Sequence, residues 1–177
     1  MTVTRVPYMT RDNLPESQRH IYDEMAKSRG VTKIGRNFEA LMNSPEATAR
    51  VMAVGTYLRF QSELPAATRE LVTITVANEM DCEFEWIAHE KLAQKAGVSD
   101  SSIAAIRNRT APDGLPPEEA ILVRYVLELM RHHRMTDDIY NAVLAQLGTK
   151  SLIDLTLLTG YYSMLALAFL ALDIQWE

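Results

Sequence analysis

PAATRELVTITVANEM, residues 65–80, is the stretch on which the fold turns. Its valines, isoleucine and threonines suit a β-strand as well as a helix. Three features favour the helix. The segment is far longer than the five or six residues of an ordinary strand. It begins with a proline, which a helix tolerates where its first N–H groups are unpaired anyway. It also runs directly into a segment of helical character. With this stretch helical, no convincing strand pair remains, and the chain reads all-α.

Working outward, an extended arm over residues 3–16 precedes a helix predicted over Glu16 to Ser28. Arg29, Gly30 and Gly35 mark a loop, and a short helix is expected over Asn37 to Met42. Ser44-Pro45-Glu46 reads as an N-cap followed by proline at the first helical position, starting a helix to about Phe60. Beyond residue 80, Gly97 stops the next helix, and Ser99 or Asp100 caps a short one over Ser101 to Arg107. NRTAPDGLPP, residues 108–117, is a loop. Three helices are expected after it: EEAILVRYVLELMRHH, DDIYNAVLAQLG and an apolar C-terminal one. The whole is expected to form one domain over 1–177, with a core over 45–107, an N-terminal arm and helices over 1–44, and C-terminal helices over 118–177. TRELVTITVANEMDCEF and TKSLIDLTLLTGYYSML share an apolar spacing, which two buried helices explain as well as a duplicated hairpin does.

The segment DCEFEWIAHEK, residues 81–91, carries the single cysteine, one of four histidines and one of two tryptophans. A helix turns about 100° per residue, so with Cys82 at zero, Glu85 falls near about −60° and His89 near about −20°. Trp86, Leu92, Ala93 and Ala96 flank them, whereas Glu83, Glu90, Lys91 and Lys95 lie on the far side. The thiol, carboxylate and imidazole therefore point toward an apolar interior. Glu85 and His89, at i and i+4, can meet. A desolvated carboxylate beside an imidazole can exchange a proton near neutral pH. Phe84 and Ile87 project on the charged side and suggest a subunit contact.

Composition sets limits on function. The chain is 47% hydrophobic and 23% charged, with 18 basic and 23 acidic residues and a net charge of −5. No basic stripe invites nucleic acid. One cysteine cannot form an internal disulfide, and MTVTRVPYMTRDNLPE has no signal-peptide core, so a cytoplasmic location is expected. Residues 155–172, LTLLTGYYSMLALAFLAL, are uncharged over the length of a membrane span. Flanking Asp154 and Asp173 and the polar first half favour a buried helix instead, so no membrane is expected. His132 and His133 suit a helix C-terminus. His20 reads as a surface group, and Tyr161 and Tyr162 as core or interface, with a pocket hydroxyl as the other option. Glu70, Glu85 and His89 could offer metal ligands, but a structural zinc would want more thiolates or imidazoles, so no metal is expected. No cofactor loop is present.

Glu70–x11–Cys82–x2–Glu85–x3–His89, with Trp86 after the glutamate, resembles the carboxymuconolactone decarboxylase family and the related alkylhydroperoxidase D type over roughly Pro45 to Arg107. The peroxidase branch has a second cysteine where Glu85 stands. Without it, a dithiol–disulfide cycle cannot close within one chain. The resemblance implies an alkylhydroperoxidase D-like helical bundle assembling as a trimer or hexamer, with sites at subunit contacts. It also implies a cofactor-free lyase or isomerase acting on a small lactone or carboxylic acid. On that reading His89 delivers the proton, Glu85 sets its charge, and Glu70 orients it or acts as base. Trp86 and one of Arg69, Arg59 or Arg36 would face the anionic substrate. A peroxidase or redox protein using Cys82 alone is the alternative, and a catalytically silent oligomeric scaffold is a third.

Overall fold

A computed structural model describes residues 4–176. Eight α-helices appear among them, and no strand: α1 (Glu16–Ser28), α2 (Arg36–Leu41), α3 (Pro45–Thr56), α4 (Ala66–Glu79), α5 (Glu83–Ala96), α6 (Asp100–Arg107), α7 (Pro117–His132) and α8 (Asp137–Leu172). The all-α expectation holds. Contacts gather the chain into two compact units, one made of residues up to 61 with 169–175, the other of residues 62–168 with Trp176.

In the first unit, α1 packs on α3, and Tyr22, Met25, Phe38, Met42 and Met52 form the heart of an apolar cluster. Glu39 is buried inside it. The Tyr22 hydroxyl donates to Glu39 Oε1 at 3.3 Å, and Lys33 Nζ lies 3.3 Å from the same oxygen, so the carboxylate is not stranded. The N-terminal arm is strapped down by Met9 N–H donating to the Glu39 carbonyl and Arg5 N–H donating to the Leu172 carbonyl. The α-helix after Pro45 does not reach Phe60 as anticipated. It ends at Thr56 and gives way to a π-helical turn over Tyr57–Gln61. Ser44 occupies the N-cap without a side-chain capping bond, and Pro45 follows at the first helical position.

In the second unit α4 is the central element, packed against α5, α6 and α7. Every residue from Leu71 to Ala77 is buried. A helix enclosed on all sides needs apolar groups all round, and this explains its strand-like composition. Its threonines fit because each hydroxyl returns to the helix: Thr73 Oγ1 donates to the Arg69 carbonyl at 2.8 Å, and Thr75 Oγ1 to the Leu71 carbonyl at 2.7 Å. Gly97 closes α5 at φ 94°, and Ser99 caps α6, its hydroxyl accepting from Ser102 N–H at 3.2 Å. A 3-10 turn, Pro112–Gly114, interrupts the expected loop at 108–117.

The two C-terminal helices anticipated from sequence form one 36-residue element kinked at Gly148, whose φ is 76° and ψ 167°. That backbone region is open almost only to glycine. A Cβ on Gly148 would meet nothing within 4 Å, so the obstacle to a side chain is backbone strain alone. Gly148→Ala should cost about 1–3 kcal/mol, read as a lowered melting temperature, whereas alanine at the exposed but ordinary Gly160 should be near neutral or stabilising. The apolar span of α8 is long enough to cross a bilayer by length and composition, and 44% of that window is buried within the chain. Leu155, Leu158, Tyr161, Tyr162 and Ala166 lie in the protein core, as in a core helix.

Candidate functional site

Cys82 is not part of a helix, as the wheel had assumed. It is the N-cap of α5, with φ −92° and ψ 86°, and its carbonyl accepts Trp86 N–H at 3.1 Å. On the helix itself, Glu85, Trp86, His89 and Ala93 form the buried face. Leu92, expected on that face, is 40% exposed, and the correction is geometric: it falls just outside the arc from Glu85 to Trp86 that neighbouring helices cover. Phe84, expected to be bare, lies edge-on against Trp176 at 5.2 Å, whereas Ile87 stays exposed.

Three of the four motif side chains meet. His89 Nδ1 lies 2.6 Å from Glu70 Oε2 of α4, the length of a charge-assisted hydrogen bond. On the opposite edge of the ring, Nε2 lies 3.4 Å from Glu85 Oε2, one turn back on α5. The hydroxyl of Tyr162, from α8, lies 3.3 Å from the same nitrogen, and its ring stands edge-on to the imidazole at 5.1 Å. His89 and Glu85 side chains are 5% and 4% exposed, and Glu70 at 13% is the member nearest water. Glu85 stands in the first turn of α5, where the helix dipole favours a negative charge.

Burial opposes charge on His89, but hydrogen bonds and charges from Glu70 and Glu85 outweigh it, and the pKa lies above the ordinary imidazole value. The charged form of the ring is thereby favoured, held between the side chains of Glu70 and Glu85. Such a group stabilises the fold fully below the unfolded-state pKa, about 6.5, and that contribution is lost as pH rises through the raised native value.

Cys82 presents the opposite case. Burial pushes its thiol up to about 11, despite N–H groups of Glu85 and Phe84 that favour the thiolate. It lines a hollow of about 80 Å³ with Trp86, Asn78, Asp81 and Arg107, room for very few water molecules. A thiol in this state is a poor nucleophile. Iodoacetamide should alkylate Cys82 far more slowly at pH 7 than a free thiol, with a rate that climbs toward pH 11, and Cys82→Ser should leave other activity largely intact. Rapid labelling at pH 7 would contradict this placement.

The three arginines proposed from sequence have other employment. Arg69, adjacent to Glu70, turns its guanidinium onto the Leu64 carbonyl. Arg59 lies over the Phe60 ring at 5.2 Å and Arg36 over Tyr8 at 4.1 Å, both in the first unit. The cation found beside the motif is Arg107, 4.8 Å from the Trp86 ring centroid and bidentate on Glu83 at 2.9 and 3.0 Å. Sequence reading missed it, and it left Tyr162 among several possibilities. His20, His132 and His133 are exposed, and His133 is the left-handed C-cap of α7. Among the described residues, no group of three potential metal ligands is positioned to hold an ion.

Residues 45–128, a span that includes the whole Glu70–His89 motif, match the profile of the carboxymuconolactone decarboxylase family. Through this segment the chain is similar to that family. The fold agrees along the full length. The structure of an alkylhydroperoxidase AhpD core, an uncharacterized peroxidase-related protein from Ralstonia eutropha JMP134, superposes with a TM-score of 0.78 at 14% identity, covering 100% of this chain and 94% of that one. At that identity the likeness speaks for the fold. A comparison with curated proteins finds no match. The carboxymuconolactone decarboxylase family and the AhpD-like fold include enzymes of both decarboxylase and peroxidase type, and the choice between them falls to the site itself.

Proposed function

We propose that Glu70, His89, Glu85 and Tyr162 form the proton-transfer site of a cofactor-free lyase or isomerase acting on a small lactone or carboxylic acid. The observation that carries this reading is the imidazole gripped at both nitrogens, with a pKa raised above the ordinary imidazole value. Glu70 fixes the ring through Nδ1 and leaves Nε2 as the atom that gives the proton. In a decarboxylation the bond from carbon to the substrate carboxylate breaks and carbon dioxide departs. The electron pair stays in an enolate conjugated with the lactone carbonyl, and Nε2–H protonates the carbon. Water returns the proton to His89. Tyr162 stands at Nε2, placed to donate to an enolate oxygen. Arg107 joins Arg69 as a candidate for the substrate anion, favoured by its position at the wall that Trp86 and Cys82 share.

The raised thiol pKa weighs against the single-cysteine peroxidase. The depth of burial favours a different second reading, a scaffold in which the cluster only pins α4, α5 and α8. Assembly of identical subunits suits either reading. Ile153, Leu157, Met164 and Leu167 expose apolar side chains at alternating steps of four, seven and three along α8, a seam suited to helix pairing between copies. A cytoplasmic setting fits a family of this kind.

The test is a screen of lactone acids and β-keto acids for carbon dioxide release and for deuterium uptake from solvent. Activity that disappears in Glu85→Gln and falls in Tyr162→Phe, with oligomeric mass unchanged, supports the enzyme. Activity indifferent to both changes sinks it.

A further inference from the structure

A second cavity, about 330 Å³, opens in the same unit away from His89, between the C-terminal half of α4, the end of α6 with its following loop, and α7. Its walls are apolar, with Ile106, Leu115, Val123 and Leu127 among them. The charged residues lining it are Arg109, Arg131 and Glu79. Glu79 is itself spent, accepting from Arg131 Nε at 2.7 Å and Nη2 at 2.6 Å. Arg109 uses Nη2 on the Asn78 carbonyl at 2.6 Å and on Asp81 at 2.5 Å. A guanidinium has five N–H donors, so both arginines keep donors in reserve.

A separate observation concerns the backbone. Arg109 has φ 53°, at the position where a helix end turns left-handed: Thr110 N–H reaches back to the Ala105 carbonyl at 3.0 Å and Arg109 N–H to Ile106 at 3.1 Å. Glycine or asparagine is the usual occupant of that position. The other residues with positive φ, glycines apart, are Asp81, His133 and Asp173, types that tolerate it. An arginine is the costly choice there, and its exposed ion pair with Asp81 offsets little.

From these observations we infer that the cavity is a binding site for a compact apolar carboxylate, an aromatic or short aliphatic acid whose body fills the apolar walls and whose anion meets Arg109 and Arg131. The volume lies at the lower end of small-molecule pockets.

Titration of the full-length protein with 3-phenylpropanoate, followed by calorimetry and by amide chemical shifts, tests this. Saturable binding is expected, with shifts at Ala105, Thr110 and Leu127. The neutral amide, 3-phenylpropanamide, should bind about tenfold more weakly, the worth of a charge-assisted hydrogen bond. Arg109→Gly is the decisive variant: it should weaken the acid about tenfold while keeping or raising the melting temperature, because glycine relieves the backbone. Ala105→Phe, checked for native circular dichroism, should abolish binding by filling the space. Tyr162→Phe should leave it unchanged, which separates this site from the proton-transfer cluster. Absence of saturation, equal affinity for acid and amide, or undiminished binding in Arg109→Gly would overturn the inference.

Discussion

His89→Ala is expected to melt well below the wild type and to lose any proton-transfer activity. Removing the imidazolium leaves Glu70 and Glu85 facing a space with no cation in it, and Glu85 is almost wholly buried. Breaking a buried ion pair by deleting one partner typically costs about 3–5 kcal/mol. In a chain of this size each kcal/mol is worth roughly 2–4 °C, so a fall of about 6–20 °C is expected. The loss should be largest below the unfolded-state pKa of about 6.5. It should shrink as pH rises through the raised native pKa of His89, where the wild type surrenders the same interaction. Loss of a positioned general acid separately removes about 10²–10⁴ in rate. Differential scanning calorimetry across pH, paired with carbon dioxide release on a substrate from the screen, reads both effects.

The second large effect distinguishes a catalytic cluster from a structural pin. In the triple variant Glu70→Met, Glu85→Leu, His89→Leu every charged member is replaced by an apolar group of similar volume. Apolar replacement of buried ion networks is often neutral or stabilising by about 1–4 kcal/mol, because the desolvation of each charge is no longer opposed to folding. The triple variant should therefore recover most or all of the stability lost in His89→Ala, while turnover stays absent. A protein that is stabler without its charged cluster keeps that cluster for chemistry. Should the triple variant be as unstable as the single one, the cluster holds the fold together and the scaffold reading gains.

Much of this architecture is legible in the chain. Residues 65–80 read as a helix despite their composition, and enclosure by α5, α6 and α7 is the reason for that composition. The family resemblance groups Glu70 with His89, and the i, i+4 step brings Glu85 to the far nitrogen. What the chain conceals is whatever depends on a distant partner. Tyr162 reaches His89 from seventy-three residues away, and no local pattern distinguishes its hydroxyl from that of Tyr161. Sequence proximity nominated Arg69, but a guanidinium on a long stem takes the nearest good acceptor, here the Leu64 carbonyl. Arg107 comes to Trp86 only through the turn that packs α6 beside α5. The helical wheel ranks Leu92 beside Glu85 because it knows angles and not neighbours. The kink at Gly148 shows the same limit, for a lone glycine between Leu147 and Thr149 signals a break without saying that both halves continue as one element.

The account rests on a charged ring at position 89, and a pH titration of its two nitrogens by ¹⁵N nuclear magnetic resonance on the intact protein tests that most directly. The account predicts both nitrogens protonated at pH 7, deprotonation only at a pH above the ordinary imidazole value of about 6.5, and a lowered midpoint in Glu85→Gln. A neutral ring at pH 7, carrying one proton and titrating at or below the ordinary value, would contradict it.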